Sequence, residues 1–267
     1  MVAGIPAREI DVILTELSVL LDSDQTDTMQ LRRHEASLKK LWAAQAIPAD
    51  EYYVTKSFIE FGKYQRDASV AAALNARKLA PLDKVTLCNV LSILVAAVEV
   101  DEAISLIKQM SANHNGDIEI IRTLIIKSAD LLQYEHVYQL FEILDAISLN
   151  LAPNVYLRRP STKRSYEAMK TFGLIDSSAA NLLKEALKAL KQENHDVWRT
   201  SRSILRDGSI LFFLHIRADA DQCAMLNFSI ADRLVEKFEN PAAEFISFLC
   251  RPLADVSEIR GLPGDCV

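Results

Sequence analysis

The stretch "VDEAISLIKQM" at residues 100–110 decides the fold, because its apolar residues have the spacing of an amphipathic helix. Ala103, Leu106, Ile107 and Met110 fall at i, i+3, i+4 and i+7, and Ile104 adjoins them. Upstream, residues 83–98 ("DKVTLCNVLSILVAAV") predict a second helix, which begins at Asp83. Only a very short link separates the two patterns, so we expect an antiparallel helix pair.

The same pattern recurs at one constant shift in both directions along the chain. Ala103, Ile107 and Met110 correspond to Val137, Phe141 and Leu144 downstream and to Ser69, Ala73 and Ala76 upstream. The turn positions Pro81, Asn115 and Leu149 follow the same shift, as do Tyr53, Leu87 and Ile121 in the first helices. A further copy, displaced by one position, is predicted at Ala36, Lys40, Ala43 and Pro48. One helix pair cannot bury its apolar face alone, so the period predicts a stacked array.

This pattern resembles the tetratricopeptide repeat, a helix–turn–helix unit of about 34 residues, over roughly residues 10–150. The residues that carry the resemblance are Ala36, Ala43 and Pro48, then Ala73, Ala76 and Pro81, and "DEAISLIKQM" with Ala103. Another helical solenoid and a globular bundle are the alternatives. The resemblance implies that the first helix of each pair lines a concave face. It therefore favours Lys56, Asn89 and Arg122 as partner-binding residues.

The second half of the chain differs from the first in composition and in the spacing of its apolar residues. We expect a basic linker with capping helices over residues 151–195 and a small α+β module over 196–267, after the repeat array of 1–150. Two apolar runs, 209–217 and 222–230, predict a β-hairpin, with 197–205 as a third antiparallel strand. A short helix is expected at 231–241, and 243–253 fits a strand or a helix. The predicted fold class is mainly α, a helical solenoid followed by this module.

Composition narrows the functional classes. Seven glycines in 267 residues predict few left-handed backbone positions and disfavour phosphate-binding glycine loops. A net charge of −6 argues against bulk attraction to nucleic acid. Four cysteines without a CxxC motif, no secretory signal and no long apolar run predict a cytoplasmic protein with core thiols. We expect no cofactor and no membrane contact.

Two clusters of polar residues are candidate sites. The basic segment 156–172 combines Arg158, Arg159, Lys163 and Arg164 with Tyr156 and Tyr166, which is typical of nucleic-acid surfaces. Its alternative is a solvated linker that touches the acidic half of the same protein. His215, Asp219 and Asp221 carry the ligand types of a metal-dependent hydrolase, and the alternative there is a turn built from Asp and Ala.

The sequence favours a non-catalytic adaptor that binds a peptide or protein partner on the concave face of the repeats. Chaperone, assembly and regulatory roles all fit, and the C-terminal module would add a second contact, an effector role or a homodimer surface. A nucleic-acid-associated regulator is the alternative, and it predicts salt-sensitive binding. No nucleotide-binding, metalloprotease or serine-nucleophile motif occurs in the sequence.

Overall fold

The computed structural model describes residues 8–22, 28–147, 158–239 and 242–253, in two compact units, Met1–Ala97 and Val98–Val267. The first unit contains α1 (Glu9–Asp22), α2 (Thr28–Ala43), α3 (Ala49–Gly62), α4 (Arg66–Leu79) and α5 (Lys84–Ala96). The second contains α6 (Val100–Asn113), α7 (Ile118–Asp130), α8 (Tyr134–Ile147), α9 (Arg159–Thr171), α10 (Asp176–Gln192), β1 (Val197–Ile204), β2 (Ile210–Ile216), α11 (Ala220–Lys237) and β3 (Ile246–Pro252). The predicted fold class, mainly α followed by a small α+β module, is confirmed.

Packing within each unit follows the chain order. In the first unit α3 packs on α4, α5 packs on both, and α1 and α2 pack on α3. In the second unit α7 packs on α6 and α8, and α9 and α10 pack on α8. Within the described ranges, no helix combines the length and the apolar character that crossing a membrane requires. Leu149 and Tyr156, which carried sequence expectations, lie outside the described residues, as do the end of the helix expected at 231–241 and one of the four cysteines, Cys266. The predicted division of the chain into a repeat array, a basic linker and an α+β module, with boundaries at residues 150 and 195, stays a prediction.

The helix boundaries repeat with the period predicted from the sequence. Helices α4, α6 and α8 begin at Arg66, Val100 and Tyr134 and end at Leu79, Asn113 and Ile147. Helices α5 and α7 are related by the same shift. Ser69, Ala103 and Val137 occupy equivalent positions in α4, α6 and α8, and all three are buried. The predicted period is therefore present in the backbone as well as in the sequence.

The copy predicted at Ala36, Lys40 and Ala43 is wrong as a packing register. All three side chains are exposed, whereas Leu31, His34 and Leu38 form the buried stripe of α2. Burying leucine removes more apolar surface from water than burying alanine, so the leucines determine which face of this helix turns inward.

The turns inside the repeats contradict the expectation drawn from the glycine count. Tyr64, Val98 and Leu132, which are each one repeat period apart, have left-handed φ angles of 61°, 54° and 61°. Gln45, Asn194 and Ala242 also have positive φ. After Tyr64 and Leu132 the chain closes a helix-ending bond, from the Gln65 N–H to the Glu60 carbonyl and from the Gln133 N–H to the Ser128 carbonyl, both 2.9 Å. The helix-ending bond thus uses side-chain-bearing residues where glycine is usual.

The α+β module has the strand order β1-β2-β3. Strands β1 and β2 are antiparallel, and β3 runs parallel to β2 after the crossover helix α11. The predicted pairing of 209–217 with 222–230 is wrong, because 222–230 lies in α11. Its buried residues Cys223, Leu226 and Ile230 have helical spacing. The Asp219–Gln222 capping box starts this helix where a hairpin turn was expected.

Gly208, in the turn between β1 and β2, lies against the backbone of α9. Its φ is +88°, and a Cβ built there would lie 2.5 Å from the Arg164 carbonyl oxygen. We expect Gly208→Ala to lower the free energy of unfolding by about 3 kcal/mol, because it combines left-handed strain with a backbone clash. Urea denaturation of the purified protein measures this loss.

Gly116→Ala is the matched control for this prediction. A Cβ at Gly116 meets nothing within 4 Å, so its change should stay within about 0.5 kcal/mol. Equal losses for the two variants would contradict the close approach of this turn to α9.

Candidate functional site

A cleft of about 540 Å³ lies between α6, α8 and α10 in the second unit. Its volume is within the range of ligand pockets in proteins. Ile104 and Ile175 supply apolar surface, and Gln139 and Asn181 present exposed side-chain amides. Lys184 of α10 forms an ion pair with Asp101 of α6 at 3.0 Å. The cleft therefore combines apolar contact with groups that can bond to a peptide backbone.

Asp176 connects two of the helices that form the cleft. Its carboxylate accepts hydrogen bonds from the backbone N–H groups of Glu135 and His136, both 2.9 Å, and so caps the start of α8. Gln133 donates its side-chain N–H to the carbonyl oxygen of Asp176 at 2.9 Å. Burial raises the pKa of Asp176, against the lowering effect of the backbone N–H groups. Asp176 is the first residue of α10 and does not cap that helix, because Ile175 occupies the N-cap position and no side chain bonds there.

His136 lines the same cleft from α8. Its Nε2 lies 3.1 Å from Ser111 Oγ of α6. Burial lowers the pKa of His136, and the nearby charge of Lys108 lowers it further. The sequence alone does not indicate this cleft, because His136 and Asp176 are far apart along the chain and no local spacing relates them.

A second cavity, of about 380 Å³, lies where β1 meets α7 and the start of α9. Arg202 of β1 forms an ion pair there with Asp130 at the end of α7, beside the fully buried Tyr134. Arg158, one of the predicted nucleic-acid contacts, also lines this cavity. The ion pair joins the sheet to the helices of the second unit.

The other predicted basic contacts lie on α9. Arg159 binds both carboxylate oxygens of Asp145 at 2.9 and 2.5 Å and lies 5.7 Å from the centre of the Phe141 ring. Lys163 lies 3.8 Å from Glu167, whereas Arg164 is exposed. Much of this segment is therefore engaged with carboxylates, and nucleic-acid binding stays a prediction.

The predicted partner-binding residues are all partly exposed. Asn89 donates its side-chain N–H to the Val85 carbonyl at 3.0 Å, and Arg122 forms an ion pair with Glu119 at 2.7 Å. Each bond lies within a single helix, α5 for Asn89 and α7 for Arg122. Lys56 is half-buried on α3. Partner binding by these residues stays a prediction.

His215, Asp219 and Asp221 have separate environments. His215 is buried on β2 with its Nε2 2.9 Å from Ser201 Oγ, and the Asp219 carboxylate caps α11 by accepting the Gln222 N–H at 2.8 Å. Among the described residues, no group of three or more His, Cys, Asp and Glu side chains could hold a metal ion. The structure therefore gives Asp219 a helix-capping role.

Comparison with known proteins gave no match among protein-family models, curated proteins or solved structures. The resemblance to the tetratricopeptide repeat therefore stays a prediction.

Removing the carboxylate of Asp176 tests its role as the cap of α8. We expect Asp176→Ala to lower the free energy of unfolding by about 1–2 kcal/mol, since two backbone N–H groups lose their acceptor. Asp176→Asn keeps one acceptor oxygen but turns an amide NH2 donor toward the other backbone N–H, so it should lose at least half of that. Asp101→Ala, which removes an exposed partner of Lys184, should cost about 0–1 kcal/mol. Chemical denaturation measures all three, and a loss for Asp176→Ala no larger than that for Asp101→Ala would refute the capping role.

The lowered pKa of His136 predicts acid sensitivity. The unfolded chain binds this proton more tightly than the folded one, so stability present above about pH 6.5 is lost as the pH falls, by at most about 1.4 kcal/mol per pH unit. Unfolding measured between pH 7 and 5 should show a shallower loss in His136→Gln. Lys108→Met, which removes the neighbouring charge, should also reduce the slope. A wild-type slope retained in both variants would contradict the prediction.

Proposed function

We propose that this protein is a non-catalytic adaptor that binds a peptide or protein partner, with the cleft between α6, α8 and α10 as the binding site. The observation that carries the proposal is the composition of the cleft, in which the apolar side chains of Ile104 and Ile175 lie beside the amides of Gln139 and Asn181. Apolar contact gives a peptide affinity, and amide groups orient its backbone.

The helices around the cleft support this proposal. The capping of α8 by Asp176 and the ion pair between Asp101 and Lys184 connect the three helices that form its walls. A site fixed before binding loses less conformational entropy when the partner arrives. Repeated helix pairs are a common scaffold for partner binding. We also propose that the protein is cytoplasmic and acts as a chaperone, an assembly factor or a regulator.

The residues that the sequence predicts to bind the partner are not those of the cleft. Lys56, Asn89 and Arg122 lie on α3, α5 and α7, whereas the cleft is formed by α6, α8 and α10. We assign the partner to the cleft, because its apolar and amide side chains lie together in one cavity. Variants on the two surfaces separate the alternatives.

We expect the triple variant Ile104→Ala, Gln139→Ala and Asn181→Ala to lose its partner. Affinity capture from the native host, followed by quantitative mass spectrometry, should show a protein enriched on the wild type and reduced roughly tenfold or more on this variant. The three residues are exposed or half-exposed, so the fold should be retained, and circular dichroism checks this.

The double variant Asn89→Ala and Arg122→Ala is the matched control and should retain the partner. Loss of the partner from this control alone would move the site to the first helices and refute the cleft. Failure of the wild type to enrich any protein above an unrelated control protein would contradict the adaptor function itself.

A further inference from the structure

The outer face of α11 is an exposed apolar stripe. Met225, Phe228 and Val235 are 72, 72 and 68% exposed, which is unusual for side chains of this size. Their spacing of three and seven positions places them on one side of the helix. Exposed apolar side chains in one stripe indicate a surface that another molecule covers.

The opposite side of α11 fixes the helix in place. Cys223, Leu226, Ile230 and Leu234 are buried, and the helix packs on α10 and β3. Arg233 forms an ion pair with Glu185 of α10 at 2.6 Å. The Asn227 side-chain oxygen accepts the Cys250 N–H of β3 at 2.6 Å. The stripe is therefore presented by a helix that is already formed and anchored on both flanks.

The charged side chains on the outer side of α11 are acidic. Asp221, Asp232 and Glu236 are exposed and share the outer side of α11 with the apolar residues. Lys237 is the exposed basic residue of this helix, and its Nζ lies 3.5 Å from Glu236 Oε1. Helical spacing places Asp221 and Asp232 in line with Met225, Phe228 and Val235, so this surface alternates apolar and negative side chains.

We propose that the outer face of α11 binds an amphipathic helix of a protein partner, one with an apolar stripe flanked by Lys and Arg. The apolar stripe would pack on Met225, Phe228 and Val235, which is the usual mode for two amphipathic helices. The long Lys and Arg side chains of the partner would reach Asp221, Asp232 and Glu236 from beside its apolar stripe, and these opposite charges favour association and fix the register. This site rests on its own observations and does not require the cleft between α6, α8 and α10.

The acidic residues of this face argue against other occupants. In an antiparallel pair of α11 helices from two copies, Asp221 of one would approach Glu236 of the other. In a parallel pair each carboxylate would approach its own counterpart, so like charges oppose both arrangements. An anionic lipid surface meets the same repulsion. A basic helix satisfies both the apolar and the charged parts of this face.

A designed peptide tests the proposal on the full chain. The probe is a fluorescein-labelled helix of about five turns with Leu at i, i+3, i+4 and i+7 and Lys on its flanks. Two control peptides have the same composition in scrambled order and Glu in place of Lys. Fluorescence anisotropy should show saturable binding of the Leu/Lys helix, and binding roughly tenfold or more weaker for both controls.

Variants of α11 locate the binding. Met225→Ser with Phe228→Ser should weaken the Leu/Lys peptide roughly tenfold or more, whereas Leu205→Ser, at a 40% exposed leucine outside α11, should not change it. Asp221→Asn, Asp232→Asn and Glu236→Gln together should weaken binding and reduce its dependence on salt. Unchanged binding in the α11 variants, or equal binding of the Glu peptide, would overturn the proposal.

Two sedimentation experiments test the other possible occupants. If sedimentation velocity shows a monomer–dimer equilibrium, and Met225→Ser with Phe228→Ser abolishes it, the face binds a second copy and the proposal is overturned. Co-sedimentation with anionic vesicles that the same variant abolishes would assign it to a membrane, with the same consequence. The cleft variant Ile104→Ala, Gln139→Ala and Asn181→Ala should bind the peptide as the wild type does, so either site can fail without the other.

Discussion

The constraint that recurs through the helical repeat is one backbone residue in the left-handed conformation after a first helix, as between α3 and α4 and between α7 and α8. The position recurs once per period as Tyr64, Val98 and Leu132, and none of the three is glycine. A left-handed conformation costs a residue with a Cβ roughly 1–2 kcal/mol, so something must hold each turn closed. Shortly after each turn Ser69, Ala103 and Val137 are completely buried, and the packing of the second helix offsets the strain.

Beyond the repeats, a few charged side chains fix the helices and the sheet of the second unit. Asp176 supplies the acceptor for two backbone N–H groups of α8, Arg159 ties α9 to Asp145 of α8, and Arg202 ties β1 to Asp130 of α7. Each joins elements that are separate in sequence. Partly buried ion pairs and caps of this kind select one arrangement among several with similar apolar burial.

The two surfaces that we propose as binding sites differ in how they arise. The cleft between α6, α8 and α10 depends on tertiary packing, since its apolar and amide groups come from three helices. The stripe on α11 belongs to one helix and could have been read from the sequence had residues 222–230 been taken as helical. Both sides of that helix carry apolar residues, which obscured its period. In the structure Cys223, Leu226 and Ile230 face inward, while Met225 and Phe228 face outward.

The sequence by itself determined the period of the repeat, the buried face of α4, α6 and α8 and the change to an α+β module, because apolar spacing is a local property of the chain. It did not determine the buried face of α2, where Ala36 is exposed and Leu31 is buried, because the spacing of small alanines continues there without marking the side that packs inward. Only the tertiary structure decided that β3 joins β2 in parallel and that Asp176 caps α8 rather than its own helix. Strand partners and caps between distant segments depend on which groups packing brings together, and no spacing along the chain encodes that.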